Sequence, residues 1–205
     1  MGNEENGIGT QLRQATARMR FSEIGSFSAL AFSLLALVTS VYQTRLMQAQ
    51  TELMQTQARA SVWPYVTIGK NEDGVPGREA FTWRVDNNGV GPAKIESVQV
   101  FVDSKPYRNW SEVFTQIAPG EEFHGRTSSL NGIVLPPSTN RETVVEMVTP
   151  DTPQRAKVFR AAAPRMAIEV CYCSVYDECW VVRSLQTDNK PVPRCETKGT
   201  VQFEQ

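Results

Sequence analysis

Nineteen consecutive residues without a charge, from Ile24 to Tyr42 (IGSFSALAFSLLALVTSVY), limit what this chain can become more than any other feature. As a helix rising about 1.5 Å per residue, the run just covers a hydrocarbon core of roughly 30 Å. A buried helix of a soluble protein would keep one polar face, whereas the polar side chains here are small hydroxyls that can bond back to their own helix. The run therefore reads as a transmembrane helix over residues 24–42. A cleaved signal peptide ending at Val38-Thr39-Ser40 is the alternative. The long preceding tail and the helix-compatible sequence continuing through Arg59 favour an uncleaved signal anchor.

Flanking charge sets the expected direction. Arg13, Arg18 and Arg20 precede the run closely, and Arg45 is the only basic residue in the fifteen that follow it. The positive-inside rule then keeps the tail, residues 1–23, in the cytoplasm and sends the remainder across. The four cysteines all fall in the last 35 residues, which fits an oxidising compartment. Within the span, Gly25, Ala29, Ser33, Ala36 and Ser40 line one helix face with small side chains, a pattern that lets helices approach closely in lipid. Residues 43–61 continue as a helical stalk free of Gly and Pro. Leu46, Ala49, Leu53 and Ala60, with Met47 and Met54 beside them, approximate a short heptad seam. The two strips point to a parallel homo-oligomer; a solvated spacer of about 27 Å is the other reading of the stalk.

Beyond Trp63-Pro64 the composition shifts to β-branched and aromatic residues, so a separate domain is expected over 62–205. Its charges nearly cancel, 21 Lys and Arg against 22 Asp and Glu, leaving no footprint for DNA or RNA. Alternation marks AFTWRV (Phe81, Trp83, Val85), KIESVQVFVD (Val98, Val100, Val102), RETVVEMV and MAIEVCYCSV as strands. Many short strands separated by turns predict a mainly β fold, a β-sandwich. Thr152 caps one short helix that begins at Pro153. Between two of the strands, Asn87-Asn88-Gly89 and Gly91-Pro92 supply positive-φ and fixed-φ positions for a tight turn. This Gly-x-Gly lacks the following helix and the Lys-Ser/Thr of a phosphate-binding loop, so nucleotide binding is rejected.

The turn resembles the N-x-G-x-G-P-A turn of extracytoplasmic immunoglobulin-like β-sandwich modules of bacteria. Together with the anchor, with ARASVWPYV at the stalk exit and with CYCSVYDECW near the C-terminus, it makes most of the chain after residue 24 similar to a group of single-pass bacterial envelope proteins. The resemblance implies a bacterial source and a membrane location; with the flanking charges, the expected setting is the bacterial inner membrane with the domain outside the cytoplasm. It brings no activity, cofactor or catalytic residue with it.

Cys171, Cys173, Cys179 and Cys195 carry the densest chemistry, as C-x-C-x5-C-x15-C. Alternate residues of one strand are too far apart to bridge, while a hairpin closed through Ser174–Glu178 sets Cys173 opposite Cys179 and leaves Cys171 for Cys195. Zinc coordination by four thiolates is a second reading, weakened by the missing C-x2-4-C spacing. A reactive thiol is the third, and it needs a base; the single histidine, His124, sits in a Gly/Glu-rich loop and reads as a surface residue. Tyr172, Tyr176 and Trp180 can form a carbohydrate or peptide platform, although core closure is the plainer role for aromatics on a hairpin.

The expected function is a non-enzymatic, membrane-anchored module that contacts a protein partner in the envelope, without cofactor. A thiol-redox enzyme using the cysteines is the alternative from another class. A periplasmic sensor is a third; it would act through a partner, since a tail of about 23 residues cannot hold an output domain.

Overall fold

The computed structural model describes residues 5–138, 144–186, 188–196, 199 and 201–204, with side chains described from Ser26 onward. The chain forms two compact units, Met1–Thr56 and Gln57–Gln205. Helix α1 (Glu5–Ser61) makes up the first unit and lends its last turn to the second. From Ser26 to Ser61 it is long and apolar enough to cross a membrane. Phe27, Leu30, Phe32, Leu34 and Leu35 are exposed along it. The hydroxyls in this stretch bond back along the helix: Ser33 Oγ donates to the Ala29 carbonyl at 2.8 Å and Thr39 Oγ1 to that of Leu35 at 3.0 Å. That removes the main polar cost of placing them in hydrocarbon. The side chains of Arg13, Arg18 and Arg20, and the place of Gly25 on the small-residue strip, lie outside the described residues.

The second unit is rich in sheet. Its strands are β1 (Val66–Asp73), β2 (Ala80–Asn87), β3 (Ala93–Val102), β4 (Lys105–Tyr107), β5 (Gly125–Thr127), β6 (Val134–Leu135), β7 (Val145–Pro150), β8 (Met166–Cys173), β9 (Cys179–Arg183) and β10 (Lys190–Val192). They form two antiparallel sheets, one ordered β1-β2-β7-β5 and the other β10-β9-β8-β3-β4, with β6 pairing the start of β3. Both sheets bury side chains in one shared core. Of the expected strand RETVVEMV, β7 covers the part from Val145 and Arg141–Thr143 lie outside the described residues.

Strand β3 shows how sequence phase becomes a buried face. Ala93 and Ile95 are buried at odd positions, Val98, Val100 and Val102 at even ones. A one-residue slip cannot be absorbed by a regular strand, because it would turn half of these side chains outward. The register against β8 shifts between Ile95 and Ser97, and this bulge carries Glu96 outward and resets the phase.

Two short helices cover the core. The expected one is α3 (Pro153–Ala162), capped by Thr152 Oγ1, which accepts from the Arg155 N–H. A second, α2 (Trp110–Ile117), adds to it. Asn109 Oδ1 accepts from the Glu112 N–H at 2.9 Å, and Glu112 Oε2 reaches back to accept from the Arg108 N–H at 2.9 Å. The α3 ring of Phe159 lies within 5.7–6.2 Å of the rings of Phe81, Trp110, Phe114 and Phe123, which joins both helices to β2. Near the C-terminus, Phe203 is buried against Trp110 at 5.0 Å, and its N–H donates to the Val98 carbonyl.

Candidate functional site

The cysteines and several exposed apolar side chains lie at the end of the sheets where α1 gives way to β1. Val62, Trp63 and Pro64 carry the chain from Ser61 to β1, and the β2–β3 loop grips them. The Trp63 carbonyl accepts from the N–H groups of Val90 (2.9 Å) and Gly91 (3.3 Å), and the Tyr65 carbonyl accepts from that of Asn88 (2.7 Å). Asn87 is wholly buried behind this loop. Its Oδ1 accepts from the N–H groups of Tyr65 and Gly89, each at 3.1 Å. Its Nδ2 donates to the carbonyls of Gly91 (2.8 Å) and Leu135 (3.0 Å). Both amide hydrogens and two acceptor positions are thus engaged.

The expectation that the glycines here provide positive φ is corrected. Gly77, Gly120, Gly132 and Gly199 are the described glycines with positive φ, and Gly89 and Gly91 are not among them. Their role is close approach: a Cβ on Gly91 would stand 1.9 Å from the Val62 carbonyl oxygen, and one on Gly89 2.4 Å from that of Trp63. The segment expected to be a simple inter-strand turn is also a backbone-to-backbone clasp on the helix exit.

Beside the clasp lies the cysteine cluster. Strands β8 and β9 form the hairpin, in register Cys173 opposite Cys179, with a disulfide between them and Cα atoms 4.0 Å apart. Cys171 is joined to Cys195, with Cα atoms 5.7 Å apart, which fixes the C-terminal segment on β8. This is the pairing that opposed hairpin positions favour. The bridges abut, with Cys173 Sγ 3.8 Å from Cys195 Sγ. The sulfurs of Cys173, Cys179 and Cys195 lie within 4.8 Å of one another, a grouping that offers thiolates to a cation only once the bridges are reduced. In the oxidised state no described cysteine is free. The two bridges tie β9 and the C-terminal segment to β8.

Ion pairs brace the same end. Arg59, in the last turn of α1, contacts Glu178 at 3.3 Å, and Lys94 Nζ lies 2.8 Å from Asp177. The hydrogen bond and charge of Asp177 raise the Lys94 pKa above its ordinary value, so the ammonium is kept. Tyr172 and Trp180 stack across the hairpin at 5.7 Å, and Trp63 joins them at 6.4 Å from Trp180. Tyr176 stands apart in the hairpin turn, exposed. Burial raises the Tyr172 pKa, keeping the phenol protonated. His124 is exposed in its loop, 3.8 Å from Glu122. Ala29, Ser33, Ala36 and Ser40 lie exposed on α1, as do Leu46 and Leu53.

No family model matches the chain, and no curated protein or solved structure is significantly similar to it.

Replacing Asn87 with Ala removes four hydrogen bonds, two of them buried, and takes a partner from four backbone groups. The expected loss of stability is on the order of 3 kcal/mol, measured by urea unfolding of the detergent-solubilised chain; a loss below about 1 kcal/mol would remove Asn87 from the centre of the clasp.

Replacing Cys195 with Ser should expose one thiol, at Cys171, and lower stability by about 2–5 kcal/mol while the hairpin bridge persists. Peptide mapping without reduction reads this directly. Recovery of a Cys171–Cys173 or Cys171–Cys179 bridge from the unsubstituted chain would refute the pairing.

Proposed function

We propose that this chain is a membrane-anchored extracytoplasmic protein-interaction module, one component of a bacterial envelope assembly. In this reading residues 24–42 span the inner membrane as a signal anchor, residues 1–23 stay in the cytoplasm, 43–61 form a stalk, and 62–205 fold as an immunoglobulin-like β-sandwich outside. Disulfides placed in the second unit support an oxidising surrounding for it. The small side chains at 25, 29, 33, 36 and 40 and the exposed Leu46 and Leu53 support self-association of the helix. The resemblance of the N-x-G-x-G-P-A turn and of CYCSVYDECW to bacterial envelope modules supports the source and setting.

The observation that carries the partner reading is a set of exposed apolar side chains at the clasped end. Val90 is 67% exposed, Val134 59%, and Val175 and Tyr176 49% each. Register places them together: Val134 pairs with Lys94, Lys94 pairs with Cys173, and Val175 and Tyr176 occupy the turn that Cys173 and Cys179 close. Val90 stands in the clasp loop itself. Apolar side chains grouped in this way, rimmed by the Arg59–Glu178 and Lys94–Asp177 pairs, have the composition of a contact surface. A disulfide and a clasp hold them in place, which lowers the ordering cost of binding.

A reporter that folds only outside the cytoplasm, fused after Gln205, should be active; an inactive fusion would reverse the orientation. A photo-cross-linking amino acid at Val90 or Val175 should yield discrete protein adducts in intact cells, and one at Gln116, on α2 at the other end of β3, should yield none. Absence of adducts from Val90 and Val175, or the same adducts from all three positions, would sink the partner reading.

A further inference from the structure

Between the start of β1, the β8–β9 hairpin and the segment leading into β10 lies a concavity of about 370 Å³, lined by Trp63, Tyr65, Tyr172, Trp180, Asp188 and Asn189. Its volume falls within the about 300–1,000 Å³ of small-molecule sites. Four of its six lining residues are aromatic, and the polar atoms among them are specifically arranged. The Tyr172 hydroxyl, on a side chain with 0% exposure, accepts from the Val66 N–H at 3.4 Å and from Asn189 Nδ2 at 2.7 Å. Its own proton has no acceptor among the described residues. Asn189 Nδ2 uses its other hydrogen on the Val66 carbonyl at 3.0 Å, which leaves the amide oxygen as an acceptor. Asp188 adds a carboxylate at the rim. The buried Tyr172 hydroxyl thus helps to hold the Asn189 amide at the edge of the concavity, with the amide oxygen left for a donor from outside.

We propose that this concavity is a saccharide-binding site, in which a pyranose ring lies on the aromatic side chains and its hydroxyls bond Asn189 and Asp188. The lining rings pack on one another, Tyr172 with Trp180 at 27° and Trp63 with Trp180 at 37°, which leaves Trp63 as the most accessible of the three. A quaternary ammonium is held by several ring faces turned toward it, whereas one accessible ring with a neutral amide near it suits a sugar. A sugar presents apolar C–H faces to a flat aromatic surface and hydroxyls at its edge, each able to donate and to accept. The Asn189 amide oxygen can accept from such an edge. Trp63 is 53% exposed, leaving much of its ring available. Because the site uses Trp63, Trp180 and Asn189 and not Val90 or Val175, it stands independently of the protein-partner surface.

The test is isothermal titration of the full chain in a detergent whose headgroup is neither a sugar nor a choline. Three trisaccharides serve as probes, β-1,4-linked glucose, β-1,4-linked N-acetylglucosamine and α-1,4-linked glucose, with choline chloride as the cationic comparison. Saturable binding of at least one trisaccharide is expected, weakened by about tenfold or more in Trp63→Ala and in Asn189→Leu and kept within about threefold in Trp63→Phe. Far-UV circular dichroism checks that each variant remains folded, and the partly exposed Trp63 decides the matter alone if Asn189→Leu does not. No saturable binding of any trisaccharide, or binding unchanged by Trp63→Ala, overturns the proposal. Saturation by choline without any saccharide binding reassigns the concavity to a cation.

Discussion

One buried amide organises the junction between helix and sheets. Asn87 ends β2, yet its side chain bonds the first residue before β1, two residues of the loop leading to β3, and the end of β6. No apolar residue of similar size can do this, because the partners are backbone groups of both polarities lying in different directions. The amide sits where the chain changes from helix to strand, and such a passage leaves backbone groups without partners of their own. With those groups satisfied by Asn87 and the clasp loop, β1 starts in register with β2, Val66 opposite Asn87.

From this end the rest of the domain is assembled by packing. Phe81, Trp83 and Val85 point inward from β2, and the bulge in β3 brings Ile95 and Val98 onto the same face. At the far end of β3, Phe159 gathers four other rings under α2 and α3. The two disulfides lie on the other face of β8 from Tyr172, Val170 and Ile168, and so they reinforce the hairpin without occupying core volume.

The parts of this fold that were legible in the sequence are those where one residue's neighbours are near in the chain. Period-two alternation identified β2, β3 and β8, and Thr152 followed by Pro153 marked the start of α3. Cys173 and Cys179 were close enough in sequence for hairpin geometry to pair them. Helix α2 escaped notice although Asn109-x-x-Glu112 is a capping signal, because its eight residues offer barely two turns of periodicity. The role of Gly89 and Gly91 was hidden for a different reason. A turn that needs glycine for φ and a turn that needs it for clearance look alike in sequence, and only the position of Val62 and Trp63 distinguishes them. Trp63, Trp180 and Asn189 are likewise scattered along the chain, and nothing local announces that they share a concavity.

The clasp also decides how the domain responds to tension. A pull arriving along the chain from the helix reaches Trp63 and Tyr65 before it reaches any strand. There the bonds from Val90, Gly91 and Asn88, the Asn87 amide and the Arg59–Glu178 contact act within a few residues of one another. They share a load instead of failing in succession, as the rungs of a peeled strand do. The junction is therefore built as a strain relief: traction on the helix is taken up by loop and amide before the first rung of β1 and β2 bears it.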